Sequence, residues 1–259
     1  MSDWAEQRQS VILCEGFHDR AFWKGWLTHL GCTDLGARKR PIKDPWDVTV
    51  AGKGKHAYRS RSGKFVLVAP CDGKDNILPA MTAWLDERDA KPITRLVVNV
   101  DADVNADGTP SRASPLSRTA IVDRVRKIDS TMTEATESSL LLDNGATEVA
   151  LVRWEANDAL APGLPNQQTL ERLVCAAQVA AYPERGTCVH NWFSTLHEPP
   201  QPLQSCVKEY AWSYMAGWYA GQNCEAFYSC LWSNDKIAAE LKSRLQPSGA
   251  WQIVESLAT

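Results

Sequence analysis

Two pairs of carboxylates stand where apolar runs end. Glu15 and Asp19 follow Val11-Ile12-Leu13-Cys14, and Asp101 and Asp103 follow Leu96-Val97-Val98-Asn99-Val100. Carboxylate oxygens suit hard divalent cations, Mg2+ with Mn2+ as a substitute, and three or four acids at one point fit one or two such ions. Without a cation, acids held that close repel one another. Asp101 and Asp103 are two apart at a strand end, where side chains i and i+2 leave the same face, so both reach one ion. Glu15 closes its strand, Gly16 permits a sharp exit, and Asp19 falls in the first turn of the next helix, where the helix N-terminus also favours a carboxylate. A bound metal ion lowers the pKa of water and stabilises the leaving oxygen of a phosphodiester. Lys74, in the turn Gly73-Lys74, either neutralises charge on a phosphate or pairs with Asp72 or Asp75.

The elements that position these groups alternate. Apolar runs predict strands over 10–14, 65–69, 94–100 and 148–154, and apolar residues at helical spacing predict helices over 18–30, 77–88, 118–128 and 167–181. Strands alternating with crossover helices imply an α/β fold, a mainly parallel sheet with helices on both faces. In such sheets ligands gather beyond the carboxyl ends of the strands, where acids about eighty residues apart can converge. The expected α/β domain covers 1–181, with an insertion over 33–64 that carries one short strand at 48–50. A helical C-terminal extension, 182–259, includes helices over 207–220 and 235–245.

The 259 residues, 44% of them hydrophobic, suffice for a large core. Eight cysteines without a Cys-x-x-Cys pair, and no signal-type leader, point to the reduced cytoplasm. No apolar run is long enough to span a membrane. The net charge of −3 argues against a protein that coats nucleic acid, but its distribution is uneven. Between Arg38 and Lys64 nine Lys/Arg face only Asp44 and Asp47, a local excess of +7. Lys53, Lys55, Arg59, Arg61 and Lys64 are therefore candidates to grip a phosphate backbone beside the acidic centre; the alternative is a solvated loop.

Taken together, Glu15-Gly16 behind one strand and Asp101-Ala102-Asp103 behind a later one resemble the Toprim domain of primases, topoisomerases, OLD-family nucleases and small RNA-maturation nucleases. The resemblance covers about 9–130. It extends toward the small stand-alone Toprim proteins at Gly73-Lys74-Asp75-Asn76 and, more loosely, at Asn157-Asp158, Pro162-Gly163 and Leu170-Glu171. It implies that Asp101 and Asp103 ligate metal, that Glu15 is a ligand or the general acid/base, that Asp19 supports a second ion, and that Glu171 is a further metal-site acid. For Glu171 the alternative is a surface acid at a helix start.

The activity implied is Mg2+-dependent hydrolysis of DNA or RNA, as in Toprim nucleases of phage defence, because nothing in the chain supplies a topoisomerase strand-passage domain or a primase zinc module. Such nucleases often act with an ABC-type ATPase, which here would have to be a separate chain: Gly52-Lys53-Gly54-Lys55 lacks phosphate-loop spacing. The competing reading is a non-hydrolytic binding module, or an effector that a partner ATPase activates. Cys188, His190 and His197 have poor zinc spacing. Tyr210, Trp212, Tyr214, Trp218 and Tyr219 suit a packed interface, including one between copies of the chain, better than base stacking.

Overall fold

The computed structural model describes residues 9–36, 55–109, 111, 116–159, 166–194 and 224–259. The expected strand at 48–50, the helix over 207–220 with its aromatic series, Lys53, Pro162, Gly163 and His197 lie outside them.

The chain is an α/β protein of two compact units. The first comprises Met1–Val100, Leu116–Val152 and Ser248–Thr259; the second comprises Asp101–Pro115 and Arg153–Pro247. By this division 153–181 go with the helices that follow them, and 248–259 go with the first unit.

An eight-stranded sheet organises the first unit: β1 (Gln9–Cys14), β2 (Thr33–Asp34), β3 (His56–Arg59), β4 (Phe65–Pro70), β5 (Arg95–Asp101), β6 (Thr133–Thr136), β7 (Ser139–Leu142) and β8 (Thr147–Trp154), in the order β2-β3-β4-β1-β5-β8-β7-β6. β1 is parallel to both central neighbours, with Leu13 level with Ala69 of β4 and with Val98 of β5. β8 runs parallel to β5, since Glu148 N–H donates to Thr94 O at one end and Ala102 N–H to Trp154 O at the other. The flanks β2-β3-β4 and β6-β7-β8 are antiparallel, so the sheet is mixed around a parallel centre.

The central strands carry continuous apolar runs, Val11–Cys14, Phe65–Ala69 and Leu96–Val98, because both faces are covered. α1 (Phe17–His29) buries Ala21, Phe22, Trp23, Trp26 and Leu27. It stops at Gly31, whose φ of +88° suits only glycine and whose Cβ would lie 2.3 Å from Nε of Arg61. α2 (Ile77–Asp86) and α3 (Arg118–Ile128) bury Ile77, Met81, Leu85, Ile121, Val122 and Val125 in the same core as β1, β4 and β5. The fully buried Asn99 interrupts β5's apolar run and is satisfied on both sides: it accepts from Trp23 Nε1 at 2.8 Å and donates to Val152 O at 3.2 Å, tying α1 and β8 to β5. The last helix, Ala250–Ala258, packs Trp251 against Trp26, with ring centroids 5.7 Å apart and planes tilted by 33°, and is held by Arg95, which donates to Ile253 O and Ser256 Oγ and pairs with Glu148.

The second unit holds α4 (Leu170–Ala181), α5 (Pro183–Ser194), α6 (Cys224–Ser233) and α7 (Asp235–Leu245), which makes the final helix α8. α4 packs on α7. Arg244 of α7 makes a two-pronged pair with Asp158, Nη2–Oδ1 2.6 Å and Nε–Oδ2 2.9 Å. The fully buried Arg172 of α4 donates to Ala156 O and Asp158 O. Burial lowers the Arg172 guanidinium from its ordinary value, partly offset by the charge of Asp158. Among the described residues no helix is long and apolar enough to cross a membrane.

Candidate functional site

In the first unit the chain leaves β1 at Glu15 and β4 at Cys71, side by side. Cys71 N–H donates to Cys14 O at 2.9 Å, and Gly73 N–H donates to Glu15 O at 2.8 Å. The loop after β4 therefore lies along the backbone of Glu15, and Lys74 opens a short 3-10 turn, Lys74–Asn76, immediately afterwards. Two positive φ angles make this approach possible, +56° at Asp72 and +115° at Gly73. Asn76 Nδ2 bonds back to Asp72 O at 3.1 Å and closes the loop. Asp19 is 8% exposed, and its Oδ2 accepts the Gly16 N–H at 3.0 Å, so this carboxylate caps α1. The Cys14 thiol is pushed well up, first by burial and then by the negative charge of Asp19, with Cys71 and Glu15 adding to it.

In the second unit Asp101 Oδ1 accepts the Leu170 N–H at 2.9 Å, at the start of α4. Thr169 is the cap of the same helix, its side chain accepting from Arg172 N. Asp103 is 6% exposed, its Oδ1 accepts from Gln167 Nε2 at 2.7 Å, and its N–H donates to Gln168 O at 3.0 Å. These two carboxylate contacts come from neutral N–H groups, which orient the side chains.

The strand-alternation argument for this pair does not hold. β5 ends at Asp101, and Asp103 has a φ of +53°, so its side chain is placed by a left-handed turn and not by the pleat. The turn arises because 103–105 pairs back onto 167–168, through Gln168 N–H to Val104 O at 2.7 Å and the bridge between Asn105 and Gln167. Glu171 is 2% exposed, which removes the surface-acid alternative. It sits in the first turn of α4, and its charge adds to burial in raising the Cys175 thiol.

The basic run is split along the sheet. From Lys55 onward it is not an insertion loop: β3 and β4 form a hairpin whose turn is closed by Ser60 N–H to Lys64 O at 2.9 Å. His56 pairs with Val68 while Arg59 pairs with Phe65, so Lys55 stands at the carboxyl end of β4, and Arg59, Arg61 and Lys64 stand at its amino end. At about 3.3 Å per residue the two ends are roughly 17 Å apart. The Lys55 charge reaches Cys71, whereas Arg61 covers Gly31 and gives its backbone N–H to Ala258 O. The expected placement of Arg59, Arg61 and Lys64 beside the acids is thus corrected. Among the described residues of the basic run and the loop after β4, Lys55 and Lys74 stand at the carboxyl edge.

Among the described residues no group of three or more His, Cys, Asp or Glu side chains is close enough to hold a metal ion. The donors that suit a hard cation are carboxylate oxygens, those of Asp101 and Asp103 in the second unit and, separately, that of Glu15 in the first; one or two carboxylates with water and phosphate suffice for Mg2+. Sequence reasoning missed Gln167, Thr169 and the Leu170 amide, which orient the two aspartates. Thr169 before Leu170-Glu171 carried a helix-cap signal. A side-chain amide such as that of Gln167 carries none.

No protein-family model and no curated protein matches the chain. Among solved structures the chain is similar to a hypothetical protein from Pyrococcus horikoshii OT3, with 14% identity and a TM-score of 0.64, over 97% of this chain and 100% of that one. At that identity the likeness establishes a shared fold. A protein with unknown function from Thermoplasma acidophilum aligns over 80% of this chain and 85% of its own at 14% identity, with a TM-score of 0.26.

Proposed function

We propose that the chain is a Toprim-type, Mg2+-dependent phosphodiesterase acting on nucleic acid. The observation that carries this reading is the parallel register of β4, β1 and β5: three neighbouring strands run to one edge, and the chain continues from them into Gly73-Lys74, Glu15 and Asp101 respectively. Asp101 and Asp103 would hold the cation, which when bound supplies an activated water and charge stabilisation at the leaving oxygen. Glu15 serves as a further ligand or moves the proton of the attacking water. Lys74, held beside Glu15 by the Gly73 amide, balances the charge of the phosphate. Lys55 adds to the same field.

A second reading is favoured by the capping bonds. Asp19 closes the start of α1 and Asp101 that of α4, so the acids can serve the fold alone. The chain is then a non-hydrolytic module, or an effector subunit that an ABC-type ATPase activates.

The test is cleavage of labelled single- and double-stranded DNA and RNA by the full chain with Mg2+ or Mn2+. Cleavage that EDTA stops, and that Glu15→Gln and Asp101→Asn reduce by about 10²–10⁴-fold with the fold intact, supports the enzyme. No cleavage with or without a co-purified ATPase, or variants as active as the wild type, removes it.

A further inference from the structure

We infer that Phe17 is a stacking platform for an unpaired nucleobase, so that single-stranded nucleic acid is the ligand class at this edge of the sheet. The inference rests on the nucleic-acid reading above and narrows it.

Phe17 begins α1, two residues after Glu15, and is 50% exposed. The other large aromatics of this helix behave oppositely: Phe22, Trp23 and Trp26 are each 0% exposed. The apolar face of α1 is complete without Phe17, and core packing does not account for the ring. Arg20, one turn on and 8% exposed, places Cζ 4.4 Å from the ring centroid. A guanidinium at that distance makes a cation–π contact, which fixes the ring's orientation from one side. His18 meets the ring edge-on, with centroids 6.2 Å apart. A half-exposed phenyl ring held from beneath by a buried cation is preorganised for another flat π-system on its open side.

Nucleobases supply such faces. Stacking on an aromatic side chain tolerates any base and needs only that one face be uncovered, a condition that single strands meet and continuous duplexes do not. The neighbours match the rest of a nucleotide. Lys74 follows the loop bonded to the Glu15 carbonyl, and the charge of Lys55 reaches Cys71 in that loop, so two lysines stand at the edge of the sheet from which α1 starts.

The experiment is fluorescence anisotropy of the full chain with a fluorescein-labelled oligothymidylate, a labelled oligouridylate and a DNA duplex of equal length, in EDTA so that nothing is cut. The wild type binds the single strands more tightly than the duplex. Phe17→Ala weakens single-strand binding by about 5- to 150-fold and barely changes the duplex. Phe17→Leu, which keeps apolar bulk but lacks a π-face, fails like the alanine variant, and Phe17→Trp restores binding. Circular dichroism and unchanged thermal unfolding establish that each variant is folded. Wild-type binding of no single strand, Phe17→Ala within twofold of the wild type, or equal losses on single strand and duplex would each overturn the inference. Because binding is read without chemistry, the two proposals fail separately. Phe17-dependent binding without any cleavage in Mg2+ sinks hydrolysis alone, and cleavage indifferent to Phe17 sinks the platform alone.

Discussion

Replacing Asp101 separates the capping bond it makes from the metal role proposed for it. Its Oδ1 accepts the first amide of α4 at 2.9 Å, a capping bond worth about 1 kcal/mol, and its charge at a helix N-terminus adds roughly 0.3–1 kcal/mol. Asp101→Asn keeps an acceptor and loses only the charge; Asp101→Ala loses both. Without divalent cation the asparagine variant should therefore unfold roughly 1–4 °C below the wild type. The alanine variant, lower by about 1.5 kcal/mol, should unfold roughly 3–6 °C earlier for a chain of this size. At a Mg2+ concentration of about 100 times Kd, binding to the folded state alone adds about 2.7 kcal/mol, so the wild type should gain roughly 5–10 °C. Both variants should lose most of that gain. Thermal unfolding followed by tryptophan fluorescence, with and without Mg2+, reads all six conditions. An asparagine variant that Mg2+ stabilises as much as the wild type refutes a metal role for this carboxylate, and an alanine variant as stable as the wild type in EDTA refutes the cap.

Three other expectations follow from particular bonds. Gly73→Ala meets no atom within 4 Å but must adopt φ +115°, so it should cost about 1–3 kcal/mol of stability in urea titration and reduce any cleavage by displacing Lys74. Arg244→Ala breaks the paired bonds to Asp158 and should destabilise the second unit by roughly 1.5–3 kcal/mol, read as faster amide exchange in α4 and α7; Arg244→Lys, lacking the fork, should recover only part. Burial pushes Cys32 and Cys71 up from 9.0 to about 11, Asp72 adding to the effect at Cys71, so the folded chain keeps protons that the unfolded chain releases. Their contribution to stability is complete below about pH 9 and disappears as pH rises toward 11. At pH 8 about one in a thousand of either thiol is ionised, and alkylation should reach the exposed Cys188 first among the described cysteines. Equal labelling of Cys71 and Cys188 would contradict that.

What the sequence revealed and what it hid follow from how the signal arises. The parallel strands were legible because both their faces are buried, which forces continuous apolar runs such as Val11 to Cys14. α3 was found over 118–128 because Ile121, Val122 and Val125 recur at helical spacing behind Ser117, whose side chain accepts from Ala120 N. The β6–β7 hairpin was missed because Thr133–Thr136 is exposed at every position, leaving no alternation to read. β3 was hidden among lysines and arginines, although its middle residues, Ala57 and Tyr58, are buried. At the site, strand ends and acids were visible, but the position of Asp103 depends on pairing with residues more than sixty positions later, which no local pattern records. The same holds for the basic run: its charge was plain, and only the antiparallel pairing of β3 with β4 divides it between two edges.

Crystals of the full chain soaked in Mn2+ and measured at the manganese absorption edge test the central claim most directly. The account predicts an anomalous peak ligated by Asp101 and Asp103 with Glu15 as a direct or water-bridged neighbour, and its loss in Asp101→Asn. A peak elsewhere, or none beside Asp101 at Mn2+ concentrations that support cleavage, would contradict it.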